Sequence, residues 1–515
     1  MMPENMDVVT TPRGAWSAAG AVAGVAGLAV SHAATMVLTL RSSPLVAVAE
    51  LVIQHVPGVV AERVIEFLGT KDKPFLVVVI FILMMLFAMW AGRLAERSWW
   101  KPILVWLGMG GFALLAVLTR FDATALDYLP VTAGVVTWIV VLSFVTEPLH
   151  SIDAESDTPA DGRSRRSFII RSTVLGVAGI GVGIFGQNFG AKRRHVEQTR
   201  RLLNLPITDR MPPMGVHVEL DDLPPWQTPN GVFYKIHTAV VVPTIEPQDW
   251  SLRIHGLVDQ EITLTYQELI DRPIIQRWIT LNCVSNPVGG PLIGNAWWSG
   301  VRLSDLLEEA GVSAEADAIL QTSQDGWTCG TPIEAVTDPE RHAMLAIGMN
   351  GDALPIDHGF PVRTVVPGLY GYVSACKWVV DIEVTKFEDF EAYWTGKGWS
   401  EKGPVKIASR IDAPQNGDDV EVGVVSIGGH AWAQHTGISS VEVAIDGGDW
   451  APVELGFVPN TDTWVQWKAD VELEEGDHTV LVRAVGADGE TQTGVERDTA
   501  PDGATGWHQI EVTAK

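Results

Sequence analysis

Apolar positions change their spacing twice along this chain. Up to about residue 190 they come as long unbroken runs, at 16–40, 74–92, 102–119, 130–146 and 168–188, each long enough to cross the hydrocarbon of a bilayer. The second, Phe75 to Trp90, holds no charge at all. One such run also suits the core helix of a soluble protein, but five in succession predict an all-α transmembrane bundle over 1–190. Between the first two, Leu51 to His55 and Val59 to Arg63 carry helical periodicity, which predicts an amphipathic helix at the membrane interface across Pro44 to Gly69.

From 205 to 402 the pattern mixes periods. Trp250 to Gly256 alternates as a strand, Thr265 to Ile270 opens a short helix, and Ser304 to Ala310 reads as a helix stopped by Gly311. Neither regular βαβ spacing nor a G-x-G-x-x-G run occurs, so an α+β domain is expected. From 405 to 515 the period becomes two. Val420–Val425, Val441–Ile445 before Asp446-Gly-Gly448, and Thr479–Arg483 before Gly486 predict a β-sandwich.

Charge separates the halves. The chain holds 36 basic and 62 acidic residues, of which the first 200 positions carry 17 and 15; the remaining 19 and 47 leave a net of −28. So acidic a surface repels phosphate backbones, which excludes nucleic acid as a partner. Arg93, Arg97 and Lys101 mark one cytoplasmic loop, and Arg163, Arg165, Arg166 and Arg171 another. With five spans the N-terminus lies inside, and everything after about 190 lies on the extracytoplasmic side of a multi-pass cell-membrane protein. Lys192 to Arg194, with Arg200 and Arg201, oppose that orientation. Ser164-Arg-Arg-Ser-Phe-Ile169 outweighs them: it resembles a twin-arginine export signal, here an uncleaved anchor. His32, His55 and His150 form no facing pairs, so a haem-binding bundle is disfavoured.

Three cysteines, at 283, 329 and 376, are too far apart for a disulfide framework or a zinc pattern. Cys283 follows the strand-like Trp278–Leu281 and precedes the loop Pro287-Val-Gly-Gly-Pro-Leu-Ile-Gly294. A soft thiolate facing a glycine loop suits a metal, although a lone Cys is more often a small core residue. The continuation Asn295-Ala-Trp-Trp-Ser-Gly-Val-Arg-Leu-Ser-Asp-Leu-Leu307 tips the balance. It resembles the sulfite oxidase family of molybdopterin enzymes, and Cys283 matches that family's thiolate ligand to molybdenum. Phe233–Thr238, His358–Arg363 and Tyr370–Trp378 carry the same resemblance. Trp450, Thr463–Trp467, Gly476–His478 and Gly506–His508 resemble the immunoglobulin-like dimerisation domain that follows in the family.

The resemblance implies a site. Molybdopterin is a planar hydrogen-bonding ring system ending in a phosphate, so it takes polar groups along its edges and cations at its end. Asn230, Tyr234, Lys235, His237, Thr322, Ser323, His358, Arg363, Ser374 and Lys377 match or adjoin cofactor contacts, with Cys283 on the metal. The family's first substrate arginine falls near Ile236, and Asp325 and Trp327 stand where a phenol is expected. Asp325 then becomes a second catalytic candidate, opposing a sulfite dianion and favouring a neutral or cationic small-molecule substrate. Cys329 and Cys376 read as structural. The expected whole is a membrane-anchored, exported molybdenum-cofactor oxidoreductase transferring an oxygen atom. Its partners would be the lipid bilayer, an external cytochrome or quinone-linked electron carrier, and a second copy of itself in a homodimer. Two alternatives remain: a sulfoxide-type reductase fed by quinol or cytochrome, and a non-enzymatic surface protein with a degenerate pterin fold.

Overall fold

A computed structural model describes residues 13–38, 40, 42–68, 71–120, 123–154, 166–174 and 191–515. These fall into two compact units, one within Met1–His195 plus Thr238–Thr244, the other Val196–His237 plus Ile245–Lys515.

The first unit contains α1 (Arg13–Val37), α2 (Pro44–His55), α3 (Gly58–Leu68), α4 (Asp72–Ala95), α5 (Trp100–Leu118), α6 (Tyr128–Ala154) and α7 (166–174); α8 (Ala191–Leu202) runs across the division. Four stretches, Gly14–Val37, Asp72–Ala95, Trp100–Leu118 and Ala125–His150, are long and apolar enough to span a membrane by length and composition. Most of the fifth expected run, and Arg165 of the export-like motif, lie outside the described residues. Small residues bring the helices together. A Cβ on Gly20 would collide with the carbonyl oxygen of Ala88, and one on Gly92 with that of Trp16, so α1 and α4 touch backbone to backbone. Trp138 Nε1 donates to Gly24 O at 3.1 Å, fixing α6 on α1. Phe81, Leu86 and Phe87 on α4 and Leu104 and Leu107 on α5 stay exposed, an apolar exterior of the kind lipid would cover.

The segment read as one interfacial helix is two. Val56 precedes Pro57 and is extended (φ −69°, ψ 128°), as the proline ring demands of its neighbour, and the helix parts there. Its first half, α2, is no surface helix: Ala47, Val48 and Leu51 are buried with Ile80, Ala113 and Ala116.

The second unit begins with β1 (Ser251–Gly256), β2 (Ile262–Thr265), α9 (Tyr266–Ile270), β3 (Ile274–Asn282), β4 (Ile293–Arg302) and α10 (Leu303–Ala310). Then come β5 (Ala318–Ser323), β6 (Thr328–Pro332), α11 (Ile333–Thr337), β7 (Met344–Met349), β8 (Asp352–Ala353), β9 (Arg363–Val365), α12 (Gly371–Ser374) and β10 (Val379–Thr385). One sheet is ordered β2-β1-β10-β5-β6; the other runs β3-β4-β7-β8, with β9 on β7. Both expected short helices form where their caps sit. Thr265 and Glu268 exchange side-chain and backbone bonds at the start of α9, and Gly311 ends α10 in the left-handed region (φ 71°).

After residue 405 the chain is β-rich: β11 (Ala408–Ala413), β12 (Asp419–Val420), β13 (Gly423–Trp432), β14 (Ile438–Ile445), β15 (Ala451–Pro452), β16 (Glu454–Leu455), β17 (Val465–Leu473), β18 (Gly476–Gly486) and β19 (His508–Ala514). The sheets β11-β13-β17-β16 and β12-β19-β18-β14-β15 share one core, built from Ile427, Val465 and Trp467 on one side and Val443, Val480, Val482 and Ile510 on the other. The tryptophans divide in use. Trp467 fills this core, while Trp464 joins Trp226, Trp278, Trp297 and Trp432 in a separate cluster shared with the preceding region. Trp226 and Trp464 each donate an indole N–H to the other's carbonyl, at 3.2 and 2.8 Å. That seam makes the two regions one compact unit.

Candidate functional site

Cys283 sits one residue past β3, where the strand ends against its own return. Its N–H donates to Leu292 O at 2.9 Å and its carbonyl accepts from Asn286 N at 3.1 Å, closing the loop 283–292 into a fixed turn. The thiol is buried, and burial pushes it up; the backbone and hydroxyl of Ser285 and the charge of Lys377 pull the other way without prevailing. A bound metal would reverse that balance, since a coordinating thiol is deprotonated outright.

Opposite lies a basic wall. Arg363 opens β9, and a backbone bridge pairs it with Lys377 just before β10. Gly359, at φ +111°, lets the turn carrying His358 close down on both: a Cβ there would stand 3.0 Å from that of Arg363 and 3.2 Å from that of Lys377. Arg363 is 4% exposed. Its Nη1 donates to His358 O at 3.1 Å, and its guanidinium lies 5.1 Å from the centre of the Trp298 ring. Among the described residues no carboxylate within ion-pair distance answers it, and burial pushes it down to about 10. Lys377 Nζ donates to Asp357 O at 2.9 Å. Lys235 stands 3.6 Å from the Asp357 carboxylate.

His358 is fully enclosed. Its Nε2 lies 3.1 Å from Asn230 O, so that nitrogen donates, whereas Nδ1 is buried with no hydrogen-bond partner. Burial first, then the charges of Lys377 and Arg363, push it down to about 3, so the ring is neutral. Tyr234 stacks on Phe233 with ring centres 5.2 Å apart, and burial together with Cys283 drives its phenol up. Asn282 Oδ1, beside the cysteine, is a second buried acceptor without a donor.

Cys283, Tyr234, His358, Arg363, Lys377 and Lys235 therefore share one electrostatic neighbourhood. Asn230 serves it through its backbone, since its side chain is turned to Met349 O and Asn350. Thr322 and Ser323 end β5, with Ser323 opposite Val379 and Thr322 opposite Asp381 on β10. Ser374 Oγ donates to Leu369 O, which fixes the turn ahead of Lys377. The His237 ring meets Trp378 edge-on at 5.8 Å. Asp325 is held in a tight turn, its carboxylate accepting from Trp327 N at 3.3 Å and its N–H donating to Ser323 Oγ; neither bond reaches Cys283. Cys329 and Cys376 are fully buried, as structural residues would be. Three members of the neighbourhood were not foreseen: Ser285, Tyr370, whose phenol feels Cys283, and Asp357. Ser285 was legible as a donor two residues past the cysteine. The other two depend on long-range folding.

Residues 239–394 match the family described as the oxidoreductase molybdopterin binding domain. An uncharacterized oxidoreductase of Bacillus subtilis, YuiH, is 33% identical over 181 residues, covering 35% of this chain and 87% of that one. The chain belongs to the sulfite oxidase-type molybdopterin oxidoreductases. Mouse mitochondrial sulfite oxidase is 30% identical over 340 residues, covering 55% of this chain and 61% of the mouse protein, so this chain spans less than two thirds of that relative. The sulfane dehydrogenase SoxCD of Paracoccus pantotrophus overlays with a TM-score of 0.46 at 24% identity, over 58% of this chain and 82% of that one.

Family membership makes the chain an oxidoreductase whose cofactor is molybdopterin with molybdenum. The residues present fit such a group. A buried guanidinium with no carboxylate among the described residues suits a phosphate, and the bare His358 Nδ1 and Asn282 Oδ1 suit hydrogen-bond donors along a ring edge.

Proposed function

We propose that this chain is a membrane-anchored, exported molybdenum-cofactor oxidoreductase that adds an oxygen atom from water to a neutral or cationic small molecule and passes two electrons and two protons outward. The observation that carries this reading is Arg363, buried and basic in the neighbourhood it shares with Tyr234, with no carboxylate among the described residues to answer it. An uncompensated buried charge is too costly to keep unless an anion arrives to pair with it.

In this reading the cofactor, when bound, supplies the two-electron redox centre and the oxygen-transfer chemistry. The protein does the rest. Cys283 is the metal's thiolate ligand; Arg363 and Lys377 hold the phosphate end; His358 Nδ1 and Tyr234 meet the ring edge, with Asn230 fixing the His358 tautomer through its carbonyl. Lys235, His237, Thr322, Ser323 and Ser374 complete the cradle. In this reading Asp325 is the charge that disfavours dianions, acting from the turn that holds its carboxylate. The β-rich region is an immunoglobulin-like module pairing two chains, and an external cytochrome or quinone-linked carrier takes the electrons.

Metal and pterin analysis of the full chain, produced with ample molybdate, tests the core of this. Stoichiometric molybdenum and pterin are expected; their absence refutes the reading. Export is tested separately by replacing Arg165 and Arg166 with Lys. The first four spans should still insert while protease added from outside no longer reaches residues beyond 190; unchanged access refutes the twin-arginine role.

A further inference from the structure

The loop after Cys283 is held from the C-terminal β-rich region. Arg410, on β11, is 7% exposed and donates from Nη1 to Gly290 O at 2.9 Å. Its own placement is fixed by Asp412, whose Oδ1 lies 2.7 Å from Arg410 Nε in a contact that is ionic rather than hydrogen-bonded in geometry. The other Asp412 oxygen meets His430 Nδ1 at 2.6 Å, and Gln466 closes the set 3.3 Å from His430 Nε2. One position earlier in the loop, Gly289 (φ +73°) leaves no room for a Cβ, because the His508 ring of β19 lies against it. His508 is itself anchored by accepting from Ile411 N at 2.9 Å. Two side chains from two strands thus press on consecutive glycines. That same loop is tied back to the cysteine through Asn286 N to Cys283 O and through Asn286 Oδ1, which accepts from Leu292 N at 2.8 Å.

We infer that Arg410 and His508 are positioning residues that set the orientation of the Cys283 sulfur, so the β-rich region is part of the redox site. This rests on the reading of Cys283 as the metal ligand. The turn is closed by its own backbone bonds, but its glycine pair has no side chains with which to hold its placement, and a metal ligand's supports commonly govern affinity and electronic character as strongly as the ligand does.

The test uses the full chain loaded with cofactor, comparing Arg410→Met, Arg410→Lys and His508→Ala with the unaltered protein. Three quantities are read: molybdenum content, the energy of the thiolate-to-metal charge-transfer band, and labelling of Cys283 by iodoacetamide, followed by mass spectrometry. Arg410→Met and His508→Ala should move the band and speed labelling by about tenfold, with Arg410→Lys restoring much of the original behaviour. A merely structural role would lower stability but leave band and labelling alone in the folded fraction. If Arg410→Met does not fold, His508→Ala decides by itself. Unchanged band and labelling in protein that carries molybdenum overturn the positioning role, whereas an unaltered protein without molybdenum overturns the ligand assignment beneath it.

Discussion

Two buried arginines in one compact unit are treated in opposite ways. Arg410 sits with Asp412 and His430. Burial pushes the Asp412 carboxyl up, but His430 and Arg410 together outweigh it and hold it below the usual range, so the guanidinium keeps its counter-charge. Arg363 is as deeply buried and, among the described residues, has none; it meets two carbonyls and the face of Trp298. The first arrangement is complete within the chain and builds structure. The second leaves a positive charge with no counter-charge among the described residues, in one neighbourhood with two bare acceptors, which suits the proposed anionic cofactor.

The most severe challenge to that contrast is Cys283→Ser. An alkoxide is a harder and poorer donor to molybdenum, so turnover should vanish while the fold persists. Turnover near the original rate would remove the reason for treating the Arg363 wall as a cofactor site. Next, the arginines should fail differently when each becomes Met. Arg410→Met leaves the buried Asp412 with His430 alone and should cost about 3 kcal/mol in urea or thermal unfolding. Arg363→Met removes an unanswered charge, so the cofactor-free protein should be no less stable. Its molybdenum and pterin content should instead fall by at least about tenfold. Equal stability losses in the two variants would break the comparison.

A smaller effect concerns pH. His358 is pushed down to about 3 in the folded chain from an ordinary value of 6.5, so between those values the unfolded chain binds a proton that the native one refuses. Stability from this group is therefore full above pH 6.5 and is lost as pH falls, by at most about 1.4 kcal/mol per unit. In cofactor-free protein, His358→Gln should flatten that part of the pH–stability curve; an unaltered slope would mean the ring is not held neutral by burial and the neighbouring cations. The smallest expected effect is at Lys235, whose pairing with Asp357 is half exposed. Lys235→Gln should change unfolding stability by no more than about 1 kcal/mol. A greater loss would place Lys235 with Arg410 as structure.

Much of this was legible in the order of residues. Long apolar runs are a one-dimensional signal, and the four that lie among the described residues emerge as helices of spanning length. Period-two stretches such as Val441–Ile445 and Thr479–Arg483 lie in strands β14 and β18, and the caps at Thr265 and Gly311 act within a few residues of themselves. The interfacial helix failed for a reason also local, the pre-proline bend at Val56, and for one that is not, the burial of Ala47 and Leu51 against helices far along the chain.

The sequence by itself determined where helices and strands form, which half carries the acidic charge, and which residues match the family's pattern, because propensity, periodicity, charge and motif are properties of neighbours in the chain. Only the tertiary structure decided that Arg363 meets no carboxylate among the described residues, and that β11 and β19 grip the loop beside Cys283. Arg410 reaches Gly290 across 120 residues of chain and His508 reaches Gly289 from further still, and no local pattern encodes such contacts.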